Sequence, residues 1–257
     1  MQRHSFQHNK LTFSYLDTGG KAPVLIALHS HWMEGLTFAS LAAELAPQWR
    51  VIALDQRGHG HSDHAATYTR DDYLGDLKAL FTHLKVKEPV ILLGNSLGGI
   101  NAYQFAARYP ELVRAMIIED IGVEISIDIG FSLAWGGVFN TREDLELCVG
   151  QHFLPYLQDS FRHIENGWKL AFNPKEMVIS HDLVKGDHWK EWLATDCPVL
   201  LIRGKNSRVT THAHLEQMAL HRPNTRFKEL EGGHVTHVDN PKQFTEAVKE
   251  FLLNRAS

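Results

Sequence analysis

Cysteine is scarce: the 257 residues hold two, Cys148 and Cys197. Two thiols cannot staple a chain of this length, and their spacing forms no metal or redox pair, so a reducing cytoplasm is the expected setting. No charge of one sign dominates. A formal net charge of −4 offers no basic surface, so neither nucleic acid nor an anionic membrane is expected as a partner. Long apolar runs are missing: none approaches the ~18 residues of a membrane span. The first eight residues, Met1-Gln2-Arg3-His4-Ser5-Phe6-Gln7-His8, lack the apolar centre of a signal peptide. Repeats, low-complexity tracts and linkers are absent as well. What remains is 44% hydrophobic and 22% charged, as in ordinary soluble proteins. The length fits one large α/β domain with a sizeable core.

The apolar pattern alternates between two kinds of segment. Residues 5–16 read as a strand pair turning at Asn9-Lys10. Continuous apolar runs at 24–28, 51–54, 89–93, 115–118 and 198–202 read as strands buried on both faces, and 226–230 as a last strand. Helices are expected at about 37–46, 71–84, 100–109, 212–220 and 241–253. Such alternation implies a mostly parallel sheet with helices on both faces, and a site beyond the carboxyl ends of its strands. Between about 122 and 195 the alternation breaks. That stretch is expected to be mostly helical and is rich in large apolar side chains.

One stretch organises the rest: Val90-Ile91-Leu92-Leu93-Gly94-Asn95-Ser96-Leu97-Gly98-Gly99. An apolar strand runs into Gly-x-Ser-x-Gly, and a helical segment follows until Pro110. A strand turning sharply into a helix around a serine is a nucleophile elbow. The two glycines let helix and strand approach, and the helix N-terminus favours negative charge nearby.

With this elbow, three further motifs resemble the α/β-hydrolase fold family over essentially the whole chain. They are His29-Ser30-His31-Trp32, Asp55-Gln56-Arg57-Gly58-His59-Gly60-His61-Ser62 and Gly232-Gly233-His234. The resemblance implies a mostly parallel eight-stranded sheet in a core of residues 1–121 and 196–257, with 122–195 as a helical lid. It also implies Ser96 as nucleophile and His234 as its base. The backbone N–H groups of Leu97 and His31 would form the oxyanion hole. No cofactor or metal is implied.

The orienting acid departs from the commonest pattern, in which it follows the seventh strand. Ser207 stands at that place, and no Asp or Glu occurs from 204 to 215. Some family members carry the acid after the sixth strand, and there Asp120 is the expected partner of His234. Glu119 should face the other way, because successive strand residues alternate. His29 is expected to brace its turn, His237 to be structural, and Asp55, Arg57 and Gly58 to hold their loop. Asn95, Phe131, Trp135 and Phe139 are expected pocket walls.

These residues suit acyl transfer on a small ester, thioester or lactone. Carbon–carbon bond hydrolysis, haloperoxidase-like chemistry, aminopeptidase action and a non-catalytic receptor role are the alternatives. The motifs are silent on oligomeric state.

Overall fold

The computed structural model describes residues 1–253. The chain begins with a hairpin, β1 (Gln2–His8) and β2 (Leu11–Asp17), whose two-residue turn sets Asn9 and Lys10 at φ 49° and 66°. Both lie in the left-handed region, as a tight hairpin turn requires. Then follow β3 (Val24–Leu28), α1 (Ala39–Leu45), β4 (Arg50–Leu54), α2 (Arg70–His83) and β5 (Val90–Asn95). The next two elements are α3 (Leu97–Arg108) and β6 (Val113–Glu119). Thr69 and Asp72 close a reciprocal capping box at the start of α2.

Residues 122–195 carry β7 (Glu124–Ile125), α4 (Arg142–Val149), α5 (Leu154–Leu157), β8 (Phe161–Ile164) and β9 (Gly167–Leu170). They continue with α6 (Pro174–Asp182), β10 (Gly186–Asp187) and α7 (Trp189–Trp192). The chain closes with β11 (Val199–Gly204), α8 (His212–Leu220), β12 (Thr225–Leu230), α9 (Thr236–Asp239) and α10 (Pro241–Leu252).

Eight strands form one sheet in the order β1-β2-β4-β3-β5-β6-β11-β12. β1 and β2 run antiparallel to their neighbours, and from β4 to β12 the pairings are parallel. The two-residue period of the strands divides the core. Ile26, Leu28, Leu92 and Ile118 point towards α2 and α3, whereas Leu25, Ala27, Leu93 and Ile117 point towards α1 and α10. Both faces are therefore apolar, which explains the unbroken hydrophobic runs.

The segment 122–195 differs from expectation. Short helices alternate with turns and two small antiparallel ladders, β8–β9 and β7–β10. Phe161–Ile164 and Gly167–Leu170, joined by two residues, pair as a hairpin in which Gly167 takes a φ of 131°. The β7–β10 ladder ties the two ends of the segment together, pairing Ile125 with Gly186.

Candidate active site

The site grows from the ends of four neighbouring strands: β5, β6, β11 and β12. At the end of β5, Ser96 takes φ 52°, ψ −115°, and α3 starts at the next residue. A non-glycine residue at this φ is strained, and the turn survives because its neighbours permit no other path. A Cβ on Gly94 would lie 2.2 Å from the Gly98 carbonyl oxygen, and one on Gly98 would lie 2.0 Å from that of Leu28. Only glycines allow α3 to seat against β5 and β3. Ser96 is half-buried, and among the described residues its hydroxyl has no hydrogen-bond partner.

Because Gly98 abuts Leu28, the turn after β3 lies beside the first turn of α3. That turn is fixed internally. His29 Nδ1–H donates to the Ser30 carbonyl at 2.7 Å, and its Nε2 accepts from the Gln56 N–H at 2.9 Å. Burial pushes the His29 imidazole down to about 4, so it stays neutral in that tautomer. Among the described residues the N–H groups of His31 and Leu97 donate to no protein acceptor. The His31 ring is occupied elsewhere, with Nε2 3.1 Å from Ser180 Oγ.

Asp120 follows β6 and, like Ser96, has a positive φ of 50°. It is fully buried, and its Oδ2 accepts from His234 Nδ1–H at 3.0 Å. The other carboxylate oxygen accepts from the Thr210 hydroxyl. His234 sits in the loop after β12 with its side chain 24% exposed. Two contacts hold that loop: Asp239 accepts from the Gly233 N–H at 2.6 Å, and Asn95 Nδ2 donates to the His234 carbonyl at 3.1 Å. Among the described residues no hydrogen bond joins the Ser96 hydroxyl to the His234 imidazole. Such contacts commonly tighten only once substrate is present.

Glu119 points away from Asp120, as strand alternation predicts. Its carboxylate accepts from the Thr236 hydroxyl, from the His237 N–H and from His237 Nδ1–H. Asp55 and Arg57 hold their loop. Asp55 accepts from the Gly35 and His61 N–H groups, and Arg57 grips Asp76 with two nitrogens at 2.7 and 2.9 Å.

The expected pocket walls separate. Phe131 and Trp135 join Trp32 and Phe153 in an aromatic cluster beside the turn after β3. Phe139 instead pairs through its backbone with Trp168 on the β8–β9 hairpin. Asn95 is fully buried, and its amide nitrogen also lies 3.3 Å from the Glu119 carbonyl. It braces the histidine loop against β6 rather than forming a wall.

Thr210 is the residue that sequence reasoning missed. Ser207, which occupies the place of the missing acid, accepts from the Val209 and Thr210 N–H groups and so shapes the turn that presents Thr210. A hydroxyl at Ser207 with another three residues on was the available signal.

Comparison with known proteins agrees with this architecture. A family model described as alpha/beta hydrolase fold matches residues 23–241. The 2-(acetamidomethylene)succinate hydrolase of Mesorhizobium japonicum is 25% identical, with 91% of this chain and 89% of that protein covered. The 3-oxoadipate enol-lactonase 2 of Acinetobacter baylyi is 27% identical over 95% of this chain and 92% of its own. A crystal structure of E-2-(acetamidomethylene)succinate hydrolase superposes with a TM-score of 0.87 at 22% identity, covering 98% of both chains. The relatives carry hydrolase names, and the chain itself belongs to the alpha/beta hydrolase fold family.

Proposed function

We propose that the protein is a serine hydrolase cleaving a small ester, thioester or lactone through an acyl-enzyme on Ser96. The observation that carries this reading is the pairing of His234 Nδ1 with the buried Asp120 carboxylate at 3.0 Å. With Nδ1–H committed to Asp120, Nε2 is left as the basic nitrogen.

Ser96 Oγ attacks the carbonyl carbon, and its proton passes to His234 Nε2. The imidazolium is stabilised by the Asp120 carboxylate. The oxyanion is received by the N–H groups of Leu97 and His31, each worth a few kcal/mol of barrier. His234 then protonates the leaving oxygen or sulfur. Water repeats the sequence in reverse roles, releasing the acid and restoring Ser96. Residues 1–121 and 196–257 act as the hydrolase core, and 122–195 as a cap whose Trp135 and Phe131 wall the pocket. The names of relatives support a lactone or ester class, since one is an enol-lactonase and another a putative esterase/lipase of Haemophilus influenzae.

Incubation with a fluorophosphonate probe should label the wild type and spare Ser96→Ala, and short p-nitrophenyl esters should be turned over only by the wild type. Equal labelling of both would end the serine-hydrolase reading. An unlabelled wild type without turnover would favour a non-catalytic receptor.

A further inference from the structure

Arg70 breaks three local rules at once. It occupies the first position of α2, at the positive end of the helix dipole, where a cation is disfavoured. Among the described residues its guanidinium has only neutral partners: Nε donates to Gln104 Oε1 at 2.8 Å, and Nη2 donates to Asn101 Oδ1. Among the described residues its Nη1, shielded from solvent, has no hydrogen-bond partner, although the residue as a whole is half-buried. The neighbouring acids are committed elsewhere, Asp71 to Arg108 and Asp72 to Thr69 and Arg57. Burial pushes the Arg70 guanidinium down to about 10. A covered cation without a counter-charge is costly, and local rules broken without compensation mark functional positions.

Its surroundings connect it to the site. Asn101 and Gln104 lie on α3, whose first turn follows Ser96. At about 1.5 Å per residue, Asn101 is only ~7 Å along the helix from the serine. The guanidinium lies 5.4 Å from the centre of the Tyr73 ring. The Tyr73 hydroxyl meets Ser180 Oγ at 2.8 Å, and Ser180 meets His31 Nε2. The His31 imidazole is held far below its ordinary range by burial, with His181, His59 and then Arg70 adding to the effect. Arg70 thus stands behind the oxyanion turn and beneath the 122–195 segment. The Tyr103 hydroxyl, also buried and, among the described residues, without a hydrogen-bond partner, comes from the same stretch of α3.

We propose that Arg70 anchors a carboxylate carried by the substrate, so that the ester cleaved at Ser96 is the half-ester of a short dicarboxylic acid. This rests on the serine-hydrolase reading above. A guanidinium suits the task, because it offers a carboxylate parallel donors and is less strongly hydrated than an ammonium. The position is closed in the free chain. Admission requires the segment bearing Ser180 and His188 to yield, including the 3.2 Å contact of His188 Nδ1 with Gln104 Nε2.

The test compares mono-p-nitrophenyl adipate with neutral p-nitrophenyl hexanoate, which match in acyl length. The wild type should prefer the charged ester in kcat/KM. Arg70→Gln should shrink that preference about a hundredfold, with Arg70→Lys between them. Equal losses on both esters would make Arg70 a structural residue and overturn the proposal, as would a wild type without preference. Calorimetric titration of Ser96→Ala with free adipate, with and without Arg70→Gln, gives a readout independent of the nucleophile. Binding abolished by Arg70→Gln supports the anchor even if Ser96 proves not to be the nucleophile, and unchanged or absent binding overturns it. Should Arg70→Gln fail to fold, Arg70→Lys takes its place: weaker inhibition by adipate supports the anchor, and equal inhibition overturns it.

Discussion

Two adjacent carboxylates at the end of β6 each meet a histidine from the segment after β12, His234 in the loop and His237 in α9, and the two pairs differ in how far the imidazole is committed. His237 is committed at both nitrogens, with Nδ1 2.7 Å from Glu119 and Nε2 2.7 Å from Thr37 Oγ1. Its side chain is 2% exposed. His234 is committed at Nδ1 alone, and its ring remains partly open beside the elbow. Burial pushes the Glu119 carboxyl upward, but His237 and Thr236 outweigh it and hold it below the ordinary range. The comparison separates two uses of one constellation. An imidazole satisfied on both sides pins a loop, whereas one with a spare nitrogen can move a proton.

The sharpest way to break this comparison is to neutralise each acid in turn. Asp120→Asn keeps shape but denies the imidazolium its counter-charge, and should lower kcat by about three to four orders of magnitude with little change in Tm. Glu119→Gln should do the opposite. Removing one member of a buried pair costs about 3–5 kcal/mol of stability, while turnover per folded molecule falls far less. Ester kinetics and thermal melts on both variants check this. A Glu119→Gln protein with normal Tm and thousandfold slower turnover would exchange the two roles.

The same distinction extends to pH. His29, committed at both nitrogens, and His59, whose Nδ1–H donates to the Arg57 carbonyl at 2.9 Å, are both fully buried. Burial pushes them down to about 4 and about 3. The unfolded chain takes up these protons near pH 6.5, and the folded chain refuses them. Their contribution is therefore complete above pH 6.5 and is lost as pH falls towards 4, by about 2 kcal/mol per imidazole at pH 5. Asp76 works in the other direction, since burial pushes it up to about 6 despite Arg57. The check is thus a difference in slopes. Between pH 7.5 and 5, His29→Asn should lose about 2 kcal/mol less in urea unfolding than the wild type. Parallel curves would show that His29 is not the refusing group.

How much of this was written in the sequence depends on the range of the interactions. The elbow was legible because its cause is local: Gly94, Ser96 and Gly98 lie within five residues, and the strand and helix around them have unambiguous periods. The opposite facing of Glu119 and Asp120 followed from strand alternation. The backbone pairing of Phe139 with Trp168 was not legible, because it joins two segments well separated in the chain. Asn95 was read as a wall because nothing local shows that its amide reaches the carbonyls of Glu119 and His234. The partner of Thr210 was hidden for the same reason, since Asp120 lies 90 residues away in the chain.

Thr210 gives the finest test of the contrast between the pairs. Among the described residues the Glu119 carboxylate receives three donors, two from side chains and one backbone N–H, whereas that of Asp120 receives two, from the side chains of Thr210 and His234. The Thr210 hydroxyl fixes one oxygen and thereby aims the other at His234. Replacing it with valine keeps the volume and removes the donor. A hydrogen bond to a charged group contributes about 1.5–3 kcal/mol. Part of that is recovered by water or by rotation of the carboxylate, so Thr210→Val should lower kcat about tenfold. Thr210→Ser should restore most of it, because the hydroxyl returns. A role confined to packing would reverse this order, since valine fills the space better than serine does. If Thr210→Val is as active as the wild type while Thr210→Ser is not, Asp120 is oriented by its backbone alone, through the 2.8 Å bond from its N–H to the Ile202 carbonyl.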